Sequence, residues 1–101
     1  MTKTLRAKSK NILAAKEKQD ALRLRNAYAI DLQTALLKKD MNPDGVSAIG
    51  VDKTTLHVDG WFCSRQFIYN ADNGTIGSEA RALGFKRIEC GSALGSYWQD
   101  M

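Results

Sequence analysis

The sequence predicts an α+β domain: a long N-terminal helix packed on a small, mainly antiparallel sheet, with one short second helix. Three observations carry this. From Ile12 to Lys39 there is no proline or glycine, and Ala, Leu, Lys, Gln and Arg dominate, the residues of highest helix propensity. Asn42-Pro43-Asp44-Gly45 then ends the helix, because the residue before proline is pushed out of the α region and this tetrapeptide has type I turn chemistry. Beyond it come short runs rich in β-branched and aromatic residues, punctuated by Gly, Asn and Asp. A chain of 101 residues is one domain, large enough to bury roughly 65% of its unfolded surface.

The helix is expected over 12–40, preceded by a basic arm over 1–11 and followed by a β-rich body over 46–101. On a helical wheel Leu22, Ala29, Ile30, Leu32, Leu36 and Leu37 fall within roughly 160° of arc, a face broad enough to dock on a core. Tyr28 falls on the polar side. Lys8, Gln19, Arg25 and Asn26 interrupt the stripe, so its first half is expected to pack less firmly. Leu22, Ala29 and Leu36 repeat every seven residues, but Arg25 or Asn26 and Gln33 hold the companion positions, too polar for a coiled coil.

Val46 to Val51 reads as a short strand. Asp59-Gly60, set between two β-rich runs, predicts a hairpin that pairs Val58 with Trp61, His57 with Phe62, Leu56 with Cys63 and Thr54 with Arg65. Leu56, Val58, Trp61, Cys63 and Phe67 then share the core face, while His57 and Phe62 share the other. Asn70 to Gly77 is a loop. Ser78 is placed to cap the short helix, with Glu79 in its first turn and Gly84 at its end. Phe85 to Cys90 alternates as a strand, and Ser96 to Gln99 supplies a last one, giving the order α-β-β-β-α-β-β.

Charge is unevenly distributed. Residues 1–25 carry eight basic and two acidic side chains, the remainder seven basic and nine acidic. A cationic arm on a slightly acidic body points to an anionic partner.

No motif for catalysis stands out. His57 is the only histidine, and the expected hairpin puts Cys63 on the opposite face, so no Cys-His dyad forms. Cys63 and Cys90 lack C-x-x-C spacing and read as two buried thiols in a reducing compartment. Asp40, Asp44, Asp52, Asp59 and Asp72 sit at turns, where Asp bonds local backbone. The stretch Asn70 to Glu79 lacks the spaced acidic ligands of a calcium loop, and no phosphate loop occurs. The expectation is a protein without enzymatic activity, cofactor or metal. There is no apolar signal region and no run of ~20 apolar residues to span a bilayer, so a cytoplasmic location is expected.

Two binding functions follow. The first is engagement of a nucleic acid or nucleoprotein complex by Lys3, Arg6, Lys8, Lys10, Lys16, Lys18, Arg23 and Arg25. No aromatic residue interleaves with these cations, so the contact would be backbone electrostatics, independent of sequence. The alternative is a protein-directed inhibitor or adaptor that docks through Tyr97 and Trp98 near the C-terminus, or through His57 and Phe62. The protein itself is expected to be a monomer or weak dimer. In general character, a small basic single domain without catalytic groups, the chain is similar to accessory proteins of phages and mobile elements. Among these are inhibitors of nuclease complexes such as CRISPR effectors, so the resemblance implies an anti-CRISPR-like role as one form of the alternative. It is a likeness of size and charge that covers no motif.

Overall fold

The computed structural model describes residues 2–101, with side chains from Lys16 onward. Helix α1 spans Thr2–Lys38, and four strands follow: β1 Gly45–Ile49, β2 Thr55–Asp59, β3 Arg87–Ser92 and β4 Gly95–Asp100. Two short helices, α2 Arg65–Asn73 and α3 Thr75–Ala82, lie between β2 and β3. The sheet order is β1-β2-β3-β4, with both outer pairs antiparallel and the central pair parallel. The long helix on a mainly antiparallel sheet is therefore present, and the sheet is mixed.

α1 stops where Asp40 turns to φ 61°, which lets Met41 N–H donate to Leu36 O at 3.1 Å and close the last turn. Its docked stripe is Ala29, Leu32 and Leu36, all buried, spaced three and four residues apart. Leu22, Arg25 and Tyr28 flank it half-buried. Ile30 and Leu37, expected on this face, are instead 65% and 45% exposed. Tyr28, expected outside, packs on Phe85 at 6.1 Å between ring centroids, and its hydroxyl points to Ile76 O. The docked side of the helix thus includes Tyr28, which meets Phe85 and Ile76, and leaves Ile30 and Leu37 outside it.

The hairpin at Asp59-Gly60 does not form. β2 ends there, Gly60 N–H donates to Gly91 O at 3.0 Å, and the chain enters α2. Ser64 caps that helix, its Oγ accepting from Phe67 N–H at 3.0 Å. Phe67, Ile68 and Ala71 then have helical spacing, with Ile68 and Ala71 buried. The hairpin partner of β2 is β1, with Val46 opposite Val58 and Ala48 opposite Leu56 across the loop 50–54. Because β2 and β3 are parallel, they need a crossover, which α2 and α3 provide. The helices meet at Gly77, where a Cβ would collide with the Asp72 and Ala71 carbonyl oxygens.

Val46, Ala48, Leu56, Val58, Ile88 and Cys90 face the helices in one core with Cys63, Ile68, Ala80 and Phe85. Leu56, Val58, Ile88 and Cys90 on the two central strands are fully buried. Cys63 and Cys90 are joined as a disulfide across a Cα separation of 5.4 Å, which replaces the expectation of two thiols. The bond ties the start of α2 to β3. Alternation places Ser47, His57, Glu89 and Trp98 in one row on the opposite, helix-free face of the sheet.

Candidate anion-binding surface

Two basic residues of α1, Lys18 and Arg25, meet the body at a cleft. The β1–β2 loop is tightly bent, with Gly50, Asp52 and Lys53 all at positive φ, and it projects Asp52 toward α1. Lys18 Nζ lies 3.2 Å from Asp52 Oδ1. Arg25 donates from Nε to Leu83 O and from Nη1 to Asp52 O, both at 2.8 Å, and so bridges the ends of two loops. The resulting space, about 400 Å³, is walled by Lys18, Arg25, Asp52, Thr54, Gly84 and Lys86. Three cations share it with one carboxylate. Lys86 makes no ion pair among the described residues, and the second terminal nitrogen of Arg25 is not used in either carbonyl contact.

The eight expected cations divide as follows. Lys3, Arg6, Lys8 and Lys10 lie outside the residues whose side chains are described. Lys16 is exposed. Arg23 pairs with Asp20 at 2.9 Å one helical turn away, while Lys18 and Arg25 line the cleft. Lys86 is the addition that sequence reasoning missed; only the fold brings it beside Lys18 and Arg25.

The four expected interface residues do not converge. His57 is on the helix-free sheet face, where its register partners are Ser47 and Glu89. Phe62 is on the core side of the crossover, against Phe67 at 4.9 Å and Trp61 at 6.0 Å, so the shared face expected for His57 and Phe62 is absent. Tyr97 is half-buried against the core, and Trp98 is exposed with the Arg87 guanidinium stacked 4.4 Å from its ring.

His57 has carboxylates on both sides, with Nδ1 2.6 Å from Glu89 Oε1 and Nε2 3.0 Å from Asp59 Oδ1. A neutral imidazole has one N–H, so both contacts are hydrogen bonds only when the ring or one carboxyl group carries an additional proton. Both ring nitrogens are thereby occupied, and no hydroxyl bonds either of them among the described residues. Among the described residues no cluster of His, Cys, Asp and Glu is arranged to hold a metal ion, and no helix is long and apolar enough to cross a membrane.

Among the described residues one group has a displaced pKa. Burial, and secondarily the negative charge of Glu79, push the Tyr28 hydroxyl up to about 12. Tyr28 thus stays a neutral packing residue. No family model, curated protein or solved structure matches this chain.

Proposed function

We propose that the protein is a non-enzymatic binder of polyanions, a nucleic acid or nucleoprotein surface, held by the basic residues of α1. The supporting observation is the cleft in which Lys18 and Arg25 of α1 are joined by Lys86 of the body around a single carboxylate. On this reading the charges of Lys3, Arg6, Lys8 and Lys10, whose side chains lie outside the described residues, add to those of Lys16 and the cleft. Lys18 is partly neutralised by Asp52 and Arg25 is committed to backbone carbonyls, so the unpaired Lys16 and Lys86 carry most of the affinity contributed by the described residues.

The test is titration of labelled duplex DNA and of RNA of the same length across a salt series. On duplex DNA log K falls by about 0.9 per tenfold rise in salt for each phosphate neutralised. Lys16→Ala with Lys86→Ala is expected to flatten that slope by about one to two such steps without lowering thermal stability. A wild-type affinity independent of salt, or variants indistinguishable from wild type, would remove the reading. The compartment belongs to the same proposal. Disulfides persist in oxidising compartments and thiols in the cytosol, so a cytoplasmic protein should take up thiol label at Cys63 and Cys90 when trapped directly from cells.

A further inference from the structure

The polyanion reading leaves unused the edge of the sheet farthest from α1 in strand order. β4 pairs with β3 along one edge only, so its other edge offers main-chain N–H and C=O groups to a further strand. Exposed edges are usually blunted by lysine, proline or a bulge. Ser96, Tyr97, Trp98 and Gln99 include no charge and no proline. Alongside, α2 and β4 border a groove of about 440 Å³ lined by Arg65, Ile68, Tyr69, Tyr97, Trp98 and Gln99. Tyr69 and Trp98 are 64% and 58% exposed. Tyr, Trp and Arg are the side chains that most often dominate binding energy at interfaces.

Charge decides what fits. Arg65 is the only ionised side chain lining the groove and has no ion pair among the described residues. It is the first residue of α2, where the amide ends of the helix add to its positive field.

We propose that this surface receives an extended segment of a partner protein as a fifth strand on β4. The segment places an apolar side chain between Tyr69 and Tyr97 and, two residues along on the same face, a carboxylate on Arg65. Two is the required spacing because successive strand side chains point to opposite faces. Main-chain hydrogen bonds to β4 supply affinity, and the paired side chains supply selectivity. A second copy of this chain does not satisfy the site. In an antiparallel pairing of two copies through this same edge, the same residues of each β4 turn their main-chain groups to the seam, so opposed residues have matching parity and the second copy presents Gly95, Tyr97 and Gln99 to the groove, with Asp100 on the other face and Arg65 without a carboxylate. A nucleic acid provides neither the main-chain donors nor an apolar side chain.

The experiment selects randomised displayed decapeptides on the immobilised full chain at physiological salt. Enriched peptides are expected to carry an apolar residue and an Asp or Glu two positions apart. The best of them, synthesised, should bind Arg65→Glu at least tenfold more weakly, and changing its carboxylate to Lys should restore binding to that variant. N-methylation of its amides one at a time should weaken binding at alternate positions only, a readout that leaves the protein unaltered. Absence of enrichment, enrichment without the acidic residue, or indifference to N-methylation would overturn the proposal. So would a stable dimer in sedimentation velocity that excludes the peptide, or displacement of the peptide by duplex DNA from the Arg65→Glu variant as readily as from wild type.

Discussion

Arg25 on α1 and Leu83 at the end of α3 are joined by a 2.8 Å hydrogen bond, Nε to carbonyl oxygen, across 58 positions of sequence. The same guanidinium holds Asp52 O, so one side chain fixes the long helix to both the β1–β2 loop and the approach to β3. Gly84 makes this possible in two ways. Its φ of 89° ends α3, and a Cβ there would occupy the place of the guanidinium.

Removing this brace should therefore be costly for a partly exposed residue. Arg25→Ala is expected to lose about 2 kcal/mol, the scale of a hydrogen-bonded charged donor that leaves carbonyl partners behind. Arg25→Lys should recover little, since an ammonium cannot reproduce the guanidinium's planar set of donors. Gly84→Ala should lose about 1–3 kcal/mol through its backbone conformation alone, with further loss from collision with Arg25. In urea melts the double variant Arg25→Ala, Gly84→Ala should then be more stable than additivity allows. Strict additivity would show that the two residues do not share one contact.

Most of the architecture was legible because it rests on local signals. The helix-forming run to Lys38, the stop before Pro43 and the alternation in Phe85–Cys90 act over a few residues each. The errors came where distant contacts decide. Asp59-Gly60 has hairpin chemistry, yet Gly60 N–H is taken by Gly91 and the Ser64 cap starts a helix instead. The polar triplet Ser64-Arg65-Gln66 before Phe67 was the available sign that strand alternation had ended. For the candidate site the limit is more severe. Lys86 and Arg25 are 61 positions apart and meet only through the fold, and the Arg65 groove requires α2 to exist.

The orientation of α1 makes a direct prediction. Leu32 and Leu36 are buried, whereas Ile30 and Leu37 are well exposed. Leu32→Ala or Leu36→Ala should lower stability by about 2–5 kcal/mol through lost transfer energy and cavity formation. Ile30→Gln and Leu37→Gln should stay within about 0.5 kcal/mol of wild type. Thermal melts discriminate readily, because 1 kcal/mol moves Tm by about 4–8 °C in a domain of this size. A reversed ranking would return Ile30 and Leu37 to the core.

The Cys63–Cys90 link closes a loop that contains the whole of α2 and α3. For a sequence separation of 27 the chain-entropy relation gives a stabilisation of about 3–4 kcal/mol. Purified oxidised protein should show no titratable thiol after unfolding, and reduction should lower the urea midpoint accordingly. Cys63→Ser should match reduced wild type to within the cost of a buried hydroxyl. Two reactive thiols in unfolded, air-oxidised protein would mean that the bond does not form.

Tyr28 couples the contact between α1 and α3 to alkaline pH. Its hydroxyl is raised from an ordinary value of 10 to about 12, first by burial and then by Glu79. Between these values the unfolded chain gives up the phenolic proton while the folded chain retains it, so the folded state binds more protons and stability falls as pH rises. The contribution is complete below pH 10 and is gone once pH has passed through about 12. Tyr28→Phe keeps the ring against Phe85 and removes the titrating group. The difference between the wild-type and Tyr28→Phe absorbance titrations at the phenolate band should therefore have its midpoint near pH 12. In denaturant melts the advantage of wild type over the variant should shrink across the same interval, whereas a difference midpoint at 10 would place the hydroxyl in water and detach Tyr28 from the packing of α1 on α3.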